Sequence, residues 1–250
     1  MARLSDKVAI VTGAGQGLGK AYALALAREG SNVTVADIDP NTANAVSGEI
    51  QKNGGTAQPV TLDVAREKSV NDAVQTVGDK FGAIDILINN AALQPRRKSF
   101  DQISVEEWDQ MMDVNLKGCW LTAKAVVPFM RRRGKGKIIN ITSTLAIKGG
   151  AGEIHYAASK AGVISLTRTL AQELGKDNIN VNVVGPGLTL TETTKNNYDP
   201  AVFDRVTSIR CIKRVEYPQD VVGTILFLCS DDSDFITGQT IIVSGGDYFN

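Results

Sequence analysis

Two adjacent stretches decide the fold: Lys7-Val8-Ala9-Ile10-Val11 and, directly after it, Thr12-Gly13-Ala14-Gly15-Gln16-Gly17-Leu18-Gly19. A short continuous apolar run is typical of a strand buried on both faces, as in parallel sheets. Residues 18–28 then place apolar side chains at helical spacing. The glycines therefore lie at a strand-to-helix turn, where backbone N–H groups and the helix N-terminus can approach a pyrophosphate. A turn alone would explain some of them, but four glycines within seven residues favour a nucleotide site.

Strands and helices alternate along the rest of the chain. Predicted strands cover 32–36, 57–62, 84–88, 137–141, 181–184 and 240–243, and predicted helices cover about 42–52, 67–81, 105–130, 156–174 and a segment that starts at Pro218. Pro59 lacks a ladder donor, so its strand is expected at or near a sheet edge, and Pro128 is expected to bend the long fourth helix. The alternation predicts an α/β fold of the doubly wound Rossmann type, with a seven-stranded parallel sheet flanked by helices on both faces.

The domain organisation follows from the regularity of this pattern. No repeat, low-complexity tract or Pro/Ser-rich linker divides it, so residues 1–250 are expected to form a single catalytic domain. Residues 188–217 show no clear helix or strand pattern. Because connections of this length are usually lids or binding segments, we expect this stretch to be a substrate loop.

Composition excludes several classes of function. The 27 Lys+Arg balance 27 Asp+Glu, so there is no basic excess to neutralise a nucleic-acid backbone. No run reaches the ~18 apolar residues that span a membrane, and no signal-peptide pattern is present. Cys119, Cys211 and Cys229 lack CxxC spacing, which indicates free thiols in a reducing compartment. Together these features predict a cytoplasmic protein. His155, the only histidine, stands in no metal-ligand cluster, so we expect no metal.

The glycines fit the pattern G-x-x-x-G-x-G, carried by Gly13, Gly17 and Gly19. The second predicted strand ends in Asp37, roughly 20 residues further on, where a carboxylate can accept hydrogen bonds from an adenosine ribose. The same charge would oppose the extra phosphate of NADP by about 1–4 kcal/mol at about 4 Å.

No cation compensates for that repulsion. Gln16 and Ile38 occupy the positions where Lys or Arg could neutralise the phosphate. The alternative is that Asp37 is simply a solvated residue at a strand end. We interpret the pattern as a site for NAD.

Further motifs follow in a fixed order: Asp63, Asn89-Asn90-Ala91, Asn115, Ser143, Tyr156-Ala157-Ala158-Ser159-Lys160 and Pro186-Gly187. With these motifs the chain resembles the short-chain dehydrogenase/reductase family, in its NAD-dependent branch of roughly 250 residues, from Thr12 to Gly246. The family usually has glycine after Asn-Asn-Ala, where this chain has Ala92. This difference is expected to stiffen the turn.

The resemblance implies how the proton is handled. Tyr156 would remove the proton of an alcohol during oxidation and return it during reduction. Lys160, four residues further along a helix, would lower the pKa of Tyr156 together with the positive nicotinamide, and would bind the nicotinamide ribose. Ser143 would hydrogen-bond the substrate oxygen, although Thr142 and Thr144 offer competing hydroxyls.

The resemblance also implies supporting and binding roles. Asn115 would hold a helix irregularity and a water that connects Lys160 to solvent. The cofactor-binding residues would be Gly13, Gln16, Gly17, Leu18, Gly19, Asp37, Ile38, Asp63, Val64, Asn89, Ala91, Tyr156, Lys160, Pro186, Gly187, Thr189 and Thr191. The substrate pocket would be formed by Gln94, Ser143, Leu145, Gly150, Tyr156 and the loop at about 188–217.

The resulting hypothesis is an NAD-dependent oxidoreductase that interconverts a secondary alcohol and a ketone, with an aromatic or cyclic alcohol as the candidate substrate. One alternative is an NADPH-dependent reductase of the 3-oxoacyl-carrier-protein type, which Asp37 and Gln16 disfavour. Another is a dinucleotide-binding regulatory protein without turnover. Residues 96–98, Arg-Arg-Lys, form either a solvated loop face or an attractant for an anionic substrate. Family members commonly assemble as homotetramers, and the same assembly is expected here.

Overall fold

The computed structural model describes residues 2–94 and 96–249. Within them, parallel strands form one sheet in the order β3-β2-β1-β4-β5-β6-β7. The strands are β1 Val8–Thr12, β2 Asn32–Asp37, β3 Thr56–Thr61, β4 Ile86–Asn89, β5 Gly136–Ile141, β6 Ile179–Pro186 and β7 Thr240–Val243. The helices are α1 Gly17–Arg28, α2 Pro40–Lys52, α3 Glu67–Phe81, α4 Val105–Met112, α5 Gly118–Arg133, α6 Leu145–Lys148, α7 Ile154–Leu174, α8 Glu192–Asn197, α9 Pro200–Ile209 and α10 Pro218–Cys229.

The predicted fold class is confirmed, including the edge position of the strand that contains Pro59. Every residue of β1 and β5 is buried, as the continuous apolar runs of a sheet covered on both faces require. β1 pairs with β2 on one side and with β4 on the other, so the direction of the crossovers reverses between β1 and β4. In doubly wound sheets ligands bind in the crevice at such a switch point.

Two apolar clusters hold the layers together, one on each face of the sheet. On one face α1, α2 and α10 contribute residues such as Leu26, Ile50 and Ile225. On the other face α3 and α5 contribute residues such as Val74 and Met130. Burial of each such side chain contributes about 1.5–3 kcal/mol, so both helical layers are fixed firmly against the strands.

Two expectations about the helices need correction. The long fourth helix is interrupted by a π-helical turn at Asp113–Lys117, whereas α5 continues past Pro128 to Arg133. The segment 188–217, expected to be a loop, contains the two short helices α8 and α9. Their starts are capped by Thr191 and Asp199, whose side chains accept hydrogen bonds from backbone N–H groups. Among the described residues, no helix combines the length and apolarity needed to cross a membrane.

Candidate active site

A cavity of ≈ 1110 Å³ lies at the carboxyl ends of the strands. The residue directly after each of β1 to β6 lines it; these residues are Gly13, Ile38, Leu62, Asn90, Thr142 and Gly187. The cavity therefore occupies the crevice that the reversal of strand order creates. Most of the residues predicted for the cofactor line it, the exceptions being Gly19 and Asn89.

The glycine turn is shaped to receive an anion. Gly13 and Gly17 have φ values of +60° and +54°, which favour glycine. A Cβ at Gly19 would lie 2.1 Å from the carbonyl oxygen of Gly13, so the turn packs against α1 only because that side chain is missing. No side chain caps the N-terminus of α1. Its first N–H groups are therefore free to bind a pyrophosphate, and Gly19 supports the turn from behind.

Asp37 occupies the end of β2 beside this turn. Its Oδ2 accepts a hydrogen bond from the backbone N–H of Gly15 at 2.8 Å, and its Oδ1 accepts one from Asp39 at 3.1 Å. Both bonds hold the carboxylate in the cavity wall, where Gln16 and Ile38 also lie. The residues present thus fit a dinucleotide, with the Asp37 carboxylate in the wall beside the glycine turn.

The placement of Asn89 differs from the expectation. Its side chain points into the protein, where it donates to Asn140 Oδ1 at 2.9 Å and accepts from Thr122 Oγ1 at 2.6 Å. The neighbouring Asn90 is the residue that meets the glycine turn, because its Nδ2 donates to the carbonyl oxygens of Thr12 and Gly13, each at 3.0 Å. The Asn-Asn-Ala motif therefore joins the ends of β1 and β4 across the crevice.

The residues predicted to handle the proton meet in the middle of the cavity. Tyr156 and Lys160 lie one turn apart on α7, with Lys160 Nζ 5.8 Å from the centre of the Tyr156 ring. Lys160 Nζ also donates to the carbonyl oxygen of Ile141 at 2.8 Å, which ties it to the end of β5. Ser143 also lines the cavity, close enough to Tyr156 for its side chain to lower the pKa of the tyrosine. The hydroxyl of Thr142 is already used, because it donates to the carbonyl oxygen of Lys160 at 2.7 Å.

The expected lowering of the Tyr156 pKa needs correction for the protein on its own. Burial raises the pKa of Tyr156 to about 12, and the Ser143 side chain opposes that rise. Burial also lowers the pKa of Lys160 to about 8. Desolvation is the largest cause of both shifts, since it penalises the charged form of each group.

Asn115 acts from behind the cavity wall rather than within it. It is fully buried in the π-helical turn, where its Oδ1 accepts from the Leu93 N–H at 2.8 Å and its Nδ2 donates to the Leu93 carbonyl at 3.1 Å. The same Nδ2 lies 3.2 Å from Ser159 Oγ on α7. Asn115 is therefore a positioning residue that links the loop after β4 to the helix of Tyr156 and Lys160.

The substrate end of the cavity contains the predicted Gln94, Leu145 and Gly150. It also contains a network that the sequence analysis missed. Tyr198 donates to Glu153 Oε1 at 2.5 Å and receives a hydrogen bond from Gln94 Nε2 at 3.2 Å. The guanidinium of Arg97 lies 5.5 Å from the centre of the Tyr198 ring, and its Nε lies 3.8 Å from Glu153 Oε1.

One signal for this network was present in the sequence. Glu153 stands three residues before Tyr156, a spacing that places both on one side of a helix start. Within 96–98, Arg97 lines the cavity and Lys98 pairs with Glu107, so part of this basic run is neutralised locally. His155 is buried beside the site and is absent from the cavity lining.

A buried ion pair fixes the base of segment 188–217. Arg210 Nη2 lies 3.2 Å from Glu216 Oε2 and donates to the carbonyl oxygen of Leu188 at 2.8 Å. Glu216 Oε1 accepts from Thr189 Oγ1 at 2.7 Å. Burial raises the pKa of Glu216, and the bond from Thr189 and the charge of Arg210 oppose that rise. The two ends of the segment are thereby joined next to β6.

Fold and crevice together are those of a nicotinamide-dependent oxidoreductase of the Rossmann type. A family model described as enoyl-(acyl carrier protein) reductase matches residues 13–247. The chain belongs to the short-chain dehydrogenase/reductase family.

Several proteins illustrate the breadth of the family around this chain. It is 39% identical over 244 residues to the 3-oxoacyl-(acyl-carrier-protein) reductase FabG of Thermotoga maritima, with 98% of each chain covered. It is 35% identical to the 7alpha-hydroxysteroid dehydrogenase of Bacteroides fragilis, covering 98% of this chain and 96% of the relative. The crystal structure of a "putative short-chain alcohol dehydrogenase" from Sinorhizobium meliloti 1021 superposes with a TM-score of 0.93 at 32% identity, covering 98% and 97%.

Proposed function

We propose that this protein is an NAD-dependent oxidoreductase that interconverts a secondary alcohol, cyclic or aromatic, and the corresponding ketone. The observation that carries the proposal is that Tyr156, Ser143 and Lys160 line the same cavity, with Lys160 Nζ 5.8 Å from the centre of the Tyr156 ring. When bound, the nicotinamide ring accepts or delivers the hydride. The protein's own residues must then bind the carbinol oxygen and manage its proton.

In this mechanism Ser143 and Tyr156 bind the same substrate oxygen. During oxidation the Tyr156 oxygen takes the hydroxyl proton as the C–H bond breaks, and during ketone reduction the proton returns along the same path. The raised pKa of Tyr156 keeps its hydroxyl protonated at neutral pH in the protein alone, so the proton that ketone reduction consumes is present. The ammonium of Lys160, with a pKa of about 8, favours the tyrosinate whenever it is charged. Ile141 and Asn115 keep Lys160 and its helix in place.

Substitution of Tyr156 tests the reaction. Tyr156→Phe is expected to reduce kcat/KM for NAD⁺-coupled oxidation of cyclohexanol or 1-phenylethanol by about 10²–10⁴-fold, the usual contribution of a general acid–base group. Tyr22→Phe is the matched control, because the Tyr22 hydroxyl is fully buried in the core without a partner among the described residues. Equal turnover by Tyr156→Phe and the control would refute the assignment.

A second candidate is the reduction of a 3-oxoacyl thioester. It is favoured by the description of the matching family model and by the relative from Thermotoga maritima. Asp37 in the cofactor wall disfavours the NADPH that this alternative is expected to use. Initial rates with acetoacetyl-CoA, measured with NADH and with NADPH, distinguish the candidates. A higher kcat/KM for acetoacetyl-CoA with NADPH than for any alcohol with NAD⁺ would favour the reductase.

We also propose the homotetramer that the family resemblance implies. Phe235, in the connection between α10 and β7, is fully exposed, and every residue of the edge strand β7 is only partly buried. Both features suit a surface that a second copy covers. Light scattering tests the assembly, since one chain has a mass of 26.7 kDa and a tetramer four times that mass.

A further inference from the structure

The substrate end of the cavity contains two carboxylates that the proposed chemistry does not use. Glu153 is 1% exposed, and Asp247, near the end of the described chain, has a side chain that is 2% exposed. Both line the cavity. Buried carboxylates are costly unless their charge and their lone pairs are matched, so each needs an explanation.

The charge of each carboxylate is matched by a cation of the same wall. Arg97 Nε lies 3.8 Å from Glu153 Oε1, and Lys148 Nζ lies 2.5 Å from Asp247 Oδ2. Each cation is therefore partly neutralised by a carboxylate of the same wall. Neither carboxylate calls for a second cation.

The hydrogen-bonding capacity of the carboxylates is only half used. Glu153 Oε1 accepts from the Tyr198 hydroxyl, whereas Glu153 Oε2 and Asp247 Oδ1 are buried and have no partner among the described residues. An unpaired buried acceptor is unfavourable, and a donor that enters the cavity would relieve this. Since the charges are already balanced, the best donor is a neutral hydroxyl.

Glu153 is also close to the reacting group. It stands directly before α7 and three residues before Tyr156, so the two side chains leave the same side of the helix start. Its negative charge contributes to the raised pKa of Tyr156. Gly150 makes room for Glu153, because a Cβ there would lie 3.1 Å from Glu153 Oε2. A donor bound by Glu153 would thus belong to a part of the substrate near the reacting carbinol.

We propose that Glu153 is a specificity residue that binds a second, neutral hydroxyl of the substrate, so that the preferred substrates are vicinal diols and their α-hydroxy ketones. The inference rests on the proposed alcohol–ketone reaction and narrows its substrate class. Asp247 extends the same polar wall and suits substrates with further hydroxyls.

The test compares matched substrates with NAD⁺. For the wild-type protein, kcat/KM for cis-1,2-cyclohexanediol is expected to exceed that for cyclohexanol at least tenfold, which corresponds to about 1.4 kcal/mol. In Glu153→Gln the ratio is expected to fall towards one. Tyr198→Phe is the matched control, because it removes the donor to Glu153 Oε1 and leaves the carboxylate in place, so the ratio should persist.

Each other outcome overturns the inference. An equal loss of the ratio in Glu153→Gln and Tyr198→Phe would show that Glu153 only anchors Tyr198. A preference for 2-aminocyclohexanol over the diol would show that the wall selects a cation. If the wild-type protein oxidises cyclohexanol and cis-1,2-cyclohexanediol with equal kcat/KM, this inference is overturned and the proposed function is not. Turnover of neither compound overturns the proposed function and this inference with it.

Discussion

The two ends of the cavity are built in different ways. At the cofactor end the contacts come from backbone groups of one turn, Gly13–Gly19, and from one carboxylate, Asp37, which a backbone N–H holds in place. At the substrate end they come from side chains on separate segments, among them Gln94, Glu153 and Tyr198. A backbone site depends on glycines and on strand order, whereas a side-chain site depends on how distant segments pack. The first is readable from local sequence and the second is not.

The largest expected effect concerns the base of the substrate segment. Arg210→Met leaves Glu216 buried and unpaired, which should lower the free energy of unfolding by about 3–5 kcal/mol. Urea unfolding measures the change. Lys68→Met is the control, because its ion pair with Asp72 is exposed and should contribute less than about 1 kcal/mol. If both variants unfold alike, the buried pair does not fix the segment.

The second-largest effect concerns Lys160, which lines the cavity. The folded-state pKa of Lys160 is about 8, below its ordinary value of 10.5, so between these values the unfolded chain binds more protons. Stability from this group therefore rises with pH across that window. The free energy of unfolding of the wild type, relative to Lys160→Met, should increase by about 2–3 kcal/mol from pH 7 to pH 10. If the difference in free energy of unfolding between the two proteins stays constant from pH 7 to pH 10, the pKa of Lys160 is not lowered by burial.

The cofactor end should respond to a single methyl group. Gly19→Ala places a Cβ 2.1 Å from the Gly13 carbonyl oxygen, so the turn must move at a cost of about 1–3 kcal/mol. NADH titration should show weaker binding, and thermal unfolding a lower Tm. Gly48→Ala, in α2 with open space around it, should instead stabilise by about 0.5–1 kcal/mol. Unchanged NADH binding in Gly19→Ala would show that cofactor binding does not depend on the close packing of Gly19 against the Gly13 carbonyl.

The smallest effect concerns cofactor choice. Asp37→Asn keeps an acceptor for the Gly15 N–H and removes the charge, so the preference for NAD⁺ over NADP⁺ in kcat/KM should fall about tenfold, or about 1.4 kcal/mol. Asp39→Asn is the control, because Asp39 caps α2 and does not line the cavity, and Asn caps equally well. The same loss of preference in both variants would mean that net charge, rather than position, decides the choice.

The sequence predicted the parts of the molecule that are governed by local pattern. The run 7–11 with its glycines predicted the first strand, the turn and the start of α1, and alternation predicted the sheet. Pro59 predicted an edge strand correctly, because a missing N–H is tolerated only there. Pro128 lies inside α5, which continues to Arg133, and the π-helical turn falls at Asp113–Lys117, around the Asn115 for which the family resemblance implied an irregularity. There the buried side-chain amide of Asn115 donates to Met111 one turn earlier and also bonds to Leu93 and Ser159 outside its own helix.

The remaining errors share a physical cause. Asn89 and Asn90 are identical in type, and only the alternation of β4 decides that one side chain enters the interior and the other meets the glycine turn. Glu153 was overlooked because its partners, Arg97 and Tyr198, are distant along the chain. The lowering of the Tyr156 pKa by Lys160 and the nicotinamide stays a prediction for the cofactor-bound protein; in the protein alone, burial, which depends on the complete fold, raises that pKa.

The bond between Arg210 and Glu216 has a consequence for how new specificities arise. Since these bonds hold both ends of segment 188–217 beside β6, we expect the residues between them to tolerate substitution while the rest of the fold is kept. We call this segment a cassette. Mutations in α9, whose Arg205, Val206 and Ile209 line the cavity, can change its shape while Thr189 and Thr191, the residues of this segment predicted to bind the cofactor, stay in place. Grafting this cassette between relatives, with its two anchoring charges retained, is therefore a direct route to altered substrate choice by design or by natural divergence.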